Sequence, residues 1–314
     1  MIFQMLYDKG MFAGSIAALP IFPMFSRGRA RLPERYGSWK LEKSSPLIWF
    51  HGASVGEIKG LMPVIKKLKE QEDSLKAPYK ILVSATSPTG LDSLNGIADF
   101  ERLAPFDSSI WIRRAISAAP IKALILTETE FWPSLIREIS DRDIPVYLIN
   151  GRITDRGALI NTLRKKLYAE IFHRISGFFV SNERAAELFA RMGVTPEKIK
   201  VVGNSKYDIE PTVSSSAKAQ EWSNRFFADT TKPVLVLGSI RPGEEEIWFD
   251  AYRNFSSKIN MVVAPRHQEK FAYFERKLRQ AHIPFTKWSL MEQGAPGATT
   301  VLLDTMGLLE KVYS

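Results

Sequence analysis

PLIWFHGASVGEIKGLMPVIKKLKE, Pro46 to Glu70, changes its periodicity halfway along. Pro46–Phe50 is a short apolar run that ends in a loop of small residues, as a buried strand does. From Ile58 onward, Ile58, Leu61, Met62, Ile65 and Leu68 recur at helical spacing. Between strand and helix lies HGASVGE, His51–Glu57. Its Gly52, Ala53, Ser54 and Gly56 keep side chains out of the way, so that backbone and ligand can approach closely. A strand passing through such a turn into a helix is the repeating unit of a parallel α/β sheet.

The same alternation extends outward on both sides. Tyr79–Val83, Ala123–Leu126, Val146–Ile149 and Gly177–Val180 read as further strands, with helices near 109–118, 132–140, 157–174 and 182–192. Ser87-Pro88 opens another helix, serine as N-cap and proline at the first helical position. Residues 210–231 lack a strand pattern, hold a serine run at Ser214–Ser216, and read as a linker carrying one helix. The alternation then restarts with strands at Val234–Leu237, Asn260–Val263 and Val301–Leu303 and helices near 242–255 and 268–280. The expectation is two doubly wound α/β domains, 27–209 and 232–314, with ligands at the C-terminal ends of their strands. The second reads as an incomplete, three-stranded half-sheet.

Composition narrows the class. A chain of 314 residues suggests two domains, and 45% apolar with 25% charged residues is globular. The absence of cysteine excludes disulfides and thiol chemistry, and the four histidines stand at no metal-ligand spacing. A net charge of +9 attracts anionic lipid, phosphate or nucleic acid, but no nucleic-acid-binding module is recognisable. Gly10–Phe25 is uncharged, shorter than a bilayer span and broken by Pro20 and Pro23. Arg27, Arg29, Arg31, Arg35, Lys40 and Lys43 follow it. Residues 1–26 therefore read as a membrane-dipping anchor beside a cluster that attracts anionic lipid, with the remainder on the cytoplasmic face. The alternative is a buried N-terminal helix.

Candidate chemistry recurs at the strand ends. Glu57, in the first turn of its helix, can act as general base toward a hydroxyl, or it can complete a capping box with Ser54. TETEFWP, Thr127–Pro133, offers Glu128 or Glu130 to a cleft, since alternate strand positions face opposite ways. Lys206 in GNSKYD suits a phosphate leaving group, or is simply solvated. In GSIRPGEEE, Gly238 and Ser239 leave amides free for an anion, and Pro242 is placed to open a helix. Arg266 and His267 of APRHQEK can contact phosphate or a base, and Met306 and Gly307 of DTMG can flank one. Together these motifs point to an α/β protein acting on a phosphorylated ligand.

The order HGASVGE, SATSPTG, APFD (Ala104–Asp107), TETEFWP, INGR (Ile149–Arg152), GNSKYD, GSIRPGEEE, APRH and DTMG resembles that of the bacterial Kdo (3-deoxy-D-manno-octulosonic acid) transferases, as does ERYG at Glu34–Gly37. The resemblance implies a GT-B-type glycosyltransferase fold: two Rossmann-like domains, acceptor on the first and CMP-Kdo on the second, with no metal or cofactor. It implies that Glu57 is the proton acceptor and that Glu128 and Lys206 stabilise the transition state. Ser54 and Gly56 belong to the acceptor-side loop. Gly238, Ser239, Pro265 and Arg266, with Met306, Gly307 and Leu308, would bind the donor. Leu308 stands where the family usually has Glu, and Ile240-Arg241 where it commonly has Thr-His. The family continues past the position of Ser314 through a glycine-rich GGHN motif, so the second domain is expected to be incomplete. The partners implied are CMP-Kdo, a lipid A precursor and anionic inner-membrane lipid, with no nucleic acid. A non-catalytic lipid A-binding protein, or another sugar-nucleotide enzyme of the same fold, is the alternative.

Overall fold

The structure is a computed structural model that describes all residues except Met1, 22–23, 25–28, 30, 43–44, 72–78, 95, 118–119, 158–164, 209–215, 296 and 314. The chain divides into two compact units, Met1–Glu210 and Pro211–Ser314. The division falls at the start of the expected linker. Residues 214 and 215 of its serine run lie outside the described residues, but its helix, Ser216–Phe226, belongs to the second unit. Phe226 and Phe227 pack there with Val262, Trp288 and Leu303.

The first unit is built on seven strands: β1 (Leu47–Gly52), β2 (Lys80–Ala85), β3 (Phe100–Leu103), β4 (Ile121–Thr127), β5 (Val146–Gly151), β6 (Gly177–Val180) and β7 (Ile199–Val201). Their order is β3-β2-β1-β4-β5-β6-β7, and every pairing is parallel. Along β1, Leu47 and Trp49 enter one hydrophobic cluster while Ile48 and Phe50 enter another, as strand alternation requires. Both faces are covered, which is why the central strands read as unbroken apolar runs. Chain order reverses direction between β1 and β4, so the loops after these two strands flank the topological switch point.

In the second unit, β8 (Val234–Ile240), β9 (Asn260–Pro265), β10 (Thr286–Lys287) and β11 (Thr300–Leu302) form a parallel sheet of order β10-β11-β9-β8. The expected three strands are joined by a fourth of two residues. β3, β7 and β10, which the sequence reading did not assign, are all edge strands. They are short, and charged residues interrupt them: Glu101 and Arg102 in β3, Lys200 in β7, Lys287 in β10. An edge strand is half covered at best and lacks the apolar run that marks a central one. Pro242 lies in a turn, and the following helix opens later, at Glu245.

The N-terminal helix, Ile2–Ala18, lies against the first unit through several polar groups and through Phe12, which packs on Trp111. Gln4 Nε2 donates to Pro133 O at 3.1 Å, Tyr7 Oη to Asp107 Oδ2 at 2.9 Å, and Tyr36 Oη to Ser15 O at 2.8 Å. Asp8 Oδ1 accepts from Ser109 N at 2.6 Å and from Ser134 Oγ at 2.9 Å. Meanwhile Met5, Leu6, Ile16, Leu19, Ile21 and Met24 are exposed. The docked side is thus largely polar beside Phe12, while much of the outward side is apolar. Among the described residues no helix is long and apolar enough to cross a membrane. The basic cluster is partly engaged by the protein itself. Arg31 pairs with Glu34 and donates to Glu101 O, and Arg35 donates to Thr86 O. Arg27 and Lys43 lie outside the described residues.

Candidate functional site at the strand switch point

Ser54 caps the Val55–Glu70 helix, and both halves of the capping box are present. Ser54 Oγ accepts from Glu57 N at 3.3 Å, while Glu57 Oε2 accepts from Ala53 N at 2.6 Å and from Ser54 N at 3.3 Å. The cap thus engages one carboxylate oxygen and leaves Oε1 outside it. The structural role foreseen for Glu57 is real, and it orients the carboxylate at the switch point as well. Gly52 is needed for the close approach, since a Cβ there would stand 3.1 Å from Thr127 Cγ2 and 3.2 Å from Glu57 Cβ.

β4 ends at Thr127, and Glu128 then adopts φ 56°, in the left-handed region. Strand alternation therefore does not govern the two glutamates of TETEFWP. Glu128 is buried; its Oε1 is ion-paired to Lys206 Nζ, and its Oε2 accepts from Arg152 Nε at 2.8 Å. Arg152 Nη2 stands 2.5 Å from the same oxygen. Glu130 instead accepts from Trp132 Nε1 at 2.6 Å and lies 3.7 Å from His51 Nε2, too far for a hydrogen bond. Burial would push the Glu130 carboxyl up, but the His51 imidazole and the Trp132 indole hold it below its ordinary value. His51 is fully buried, hydrogen-bonded through Nδ1 to Ser84 Oγ at 2.8 Å and packed edge-on against Trp132. Together these make His51 and Glu130 a packed support for the loop, and Glu128 the member of the pair that joins the cationic site.

Lys206 reaches Glu128 across the face of the Val55–Glu70 helix. A Cβ on Gly60 would stand 2.9 Å from Lys206 Cγ and 3.0 Å from its Cε, and one on Gly56 would stand 3.8 Å from its Nζ. The turn that carries Lys206 is tied down by Asn150, which is buried with φ 53°. Asn150 Oδ1 accepts from Ser205 N at 2.9 Å and Nδ2 donates to Ser205 Oγ at 2.8 Å, while that hydroxyl donates to Gly60 O. Residues Gly60, Asn150 and Arg152 were not among the expected site residues. The GxxxG spacing of Gly56 and Gly60 was the signal for a side chain crossing that helix. Gly60→Ala should displace Lys206, because the added Cβ would meet its Cγ and Cε. A drop in turnover of about tenfold or more, larger than any loss of stability read from the melting midpoint accounts for, is the expected result, one decade corresponding to about 1.4 kcal/mol in the barrier. Unchanged turnover would show that the position of Lys206 is immaterial.

In the second unit the candidates share one sheet edge. Gly238 pairs with Ala264, Ile240 with Pro265, and Leu302 with Val263, so the ends of β8, β9 and β11 adjoin. Ser239 has φ 57°, at a register shift between Gly238 and Ile240. The space over Gly238 is filled by Tyr313, whose Oη would lie 2.0 Å from a Cβ there. Arg266 and His267 are exposed, and Arg266 N donates to Ile240 O at 3.1 Å. Met306 and Gly307 are exposed, the glycine at φ 86°. Leu308 is buried in the cluster around Phe226, Trp288 and Leu303, so its side chain is taken up by packing rather than offered to a ligand. Glu245 is buried and accepts from Tyr273 Oη and Gly243 N, a structural role. Among the described residues, no group of three or more His, Asp or Glu side chains could hold a metal ion.

The chain is 27% identical over 321 residues to a 3-deoxy-D-manno-octulosonic acid transferase of Chlamydophila psittaci, covering 98% of this chain and 72% of that one. It is 28% identical to a bifunctional glycosyltransferase/methyltransferase of Fusobacterium nucleatum, covering 87% of this chain but 42% of that protein. Among solved structures it resembles the UDP-GlcNAc 2-epimerase of Neisseria meningitidis bound to UDP-GlcNAc, with a TM-score of 0.56, 13% identity, and coverage of 85% of this chain and 74% of that one. The expected α/β fold of GT-B type, with Rossmann-like units, is borne out. Residues 30–209, which include Glu57, Glu128, Arg152 and Lys206, match the model of the 3-deoxy-D-manno-octulosonic-acid transferases, and the chain belongs to that family.

Proposed function

We propose that this chain catalyses, or forms the catalytic part of an enzyme catalysing, transfer of Kdo from CMP-Kdo to a lipid A precursor such as lipid IVA in lipopolysaccharide assembly. The observation that carries this reading is Glu57, capped through one carboxylate oxygen at the head of the helix along which Lys206 runs to its ion pair with Glu128. The acceptor's hydroxyl oxygen attacks the anomeric carbon of Kdo, and its proton passes to Glu57. The bond from that carbon to the CMP phosphate breaks, and CMP leaves with the electron pair. A single displacement inverts the anomeric centre. Lys206 and Glu128 act on the charge that develops at the reacting centre. Ser239, Pro265, Arg266, Met306 and Gly307 hold the donor, Arg266 through its phosphate, whereas Tyr313 occupies the space over Gly238. Calorimetric titration with CMP and with UDP tests the donor assignment. The expected result is binding of CMP in preference to UDP. Binding of neither would favour the alternative of a lipid A-binding protein without transferase activity.

The acceptor stays in the inner membrane, and the protein meets it on the cytoplasmic face. The exposed apolar side of the Ile2–Ala18 helix, continued by Leu19, Ile21 and Met24, supports this, as do the exposed Lys9 and Arg29. Because Gln4, Tyr7, Asp8 and Ser15 make the docking contacts, the outer side can be changed without undocking the helix. Replacing Leu6, Ile16, Leu19 and Ile21 together with serine should release the protein from anionic vesicles in sedimentation. Unchanged sedimentation at low and high salt would remove this helix from the account.

A further inference from the structure

Glu128 is one buried carboxylate held by two cations, so the cluster of Glu128, Lys206 and Arg152 retains a positive charge. The two cations are unlike. The side chain of Lys206 is 29% exposed and runs inward along Gly60, whereas that of Arg152 is 61% exposed. Arg152 applies the Nε–Nη2 side of its guanidinium to Glu128 Oε2, which leaves Nη1 outside that pair. It follows Gly151 at the end of β5, the strand beside β4, and the backbone there is held by Ser181 N donating to Gly151 O at 2.9 Å. A Cβ on Gly151 would stand 3.0 Å from Val180 Cγ1, so the backbone entering Arg152 is tightly packed. A half-paired, outward guanidinium on a fixed backbone, with net positive charge behind it, is an acceptor for a planar carboxylate.

We propose that Arg152 recognises the carboxylate of the transferred sugar acid and so discriminates acidic from neutral sugars. The inference rests on the reading of this site as a Kdo-transfer site. In a 2-ulosonic acid the carboxylate is attached directly to the anomeric carbon. Any site that handles the reacting carbon must therefore place that charge, and the cluster has one positive charge to offset it. Glu128 holds Arg152 in place for this purpose as well as pairing with Lys206.

Equilibrium binding of free 3-deoxy-D-manno-octulosonic acid and of its C1 amide, followed by ligand-observed NMR, tests the proposal without turnover. The unaltered chain should bind the acid roughly tenfold or more tightly than the amide, the scale of a charge-assisted hydrogen bond. Arg152→Gln should weaken the acid by that factor and leave the amide unmoved, bringing the ratio close to one. Arg152→Lys keeps the charge that pairs with Glu128 but loses the fork, and should restore part of the ratio. It also controls for damage to the fold. Equal binding of acid and amide by the unaltered chain, or an unchanged ratio in Arg152→Gln, would overturn the proposal. Acid selectivity through Arg152 in a chain that fails to transfer from CMP-Kdo would count against the proposed reaction and leave the binding role standing.

Discussion

Glu57→Gln is expected to lower the rate of transfer by ~10²–10⁴ while the helix keeps its cap. Glutamine is nearly isosteric, and its carbonyl oxygen can accept from Ala53 N and Ser54 N as the carboxylate does. The Ser54 Oγ bond from the residue 57 amide is untouched. The substitution therefore removes basicity and preserves geometry. A base assignment predicts a large rate loss with a small change in melting midpoint. A purely structural capping role predicts the opposite, since Glu57→Ala would then be damaging and Glu57→Gln nearly silent. Comparing the two variants separates the roles that this sequence position combines.

The second large effect is a reversal of pH dependence. Asp107 is buried beneath the N-terminal helix and accepts from Leu135 N at 2.8 Å, Ser134 N at 3.3 Å and Tyr7 Oη at 2.9 Å. Burial pushes its carboxyl up to about 6, against the partial opposition of those hydrogen bonds. A raised carboxyl binds a proton more readily in the folded protein than in the unfolded chain. Asp107 therefore favours folding most below the unfolded value near 3.8, and that contribution is lost as pH rises through about 6. A shift of this size corresponds to about 3 kcal/mol. Asp107→Asn cannot ionise, so between pH 4 and 7 its stability should gain on that of the unaltered protein by about that amount. Denaturant melts of both proteins across this range provide the check. Parallel curves would mean that Asp107 titrates at an ordinary carboxylate value.

Much of this arrangement was legible in the sequence because it is local. The switch from an apolar run to helical spacing around HGASVGE located β1, its turn and its helix. The motif order placed Glu57, Glu128 and Lys206 at strand ends, and the structure pairs Glu128 with Lys206 and lays Lys206 along the helix that Glu57 opens. The illegible parts depend on distant pairings. Nothing near Asp8 shows that its carboxylate accepts from the first amide of a helix at Ser109, 101 residues on. Asn150 acts through Ser205 and Gly60, residues from three separate stretches of the chain. Alternation left Glu128 and Glu130 equal and only the resemblance chose Glu128, while the left-handed backbone at Glu128 sets that alternation aside. Leu308 entered the donor site only through the resemblance, at a position where the family usually has Glu, and packing takes its side chain into the core.

The central claim is that the switch-point cluster transfers a sugar acid from a CMP donor. Its most direct test is product formation by the purified chain with lipid IVA in mixed micelles, comparing CMP-Kdo with UDP-GlcNAc as donor. The account predicts a Kdo-bearing lipid product and free CMP from the first donor, no product from the second, and loss of the product in Glu57→Gln. Transfer from UDP-GlcNAc, or transfer from CMP-Kdo undiminished in Glu57→Gln, would contradict it.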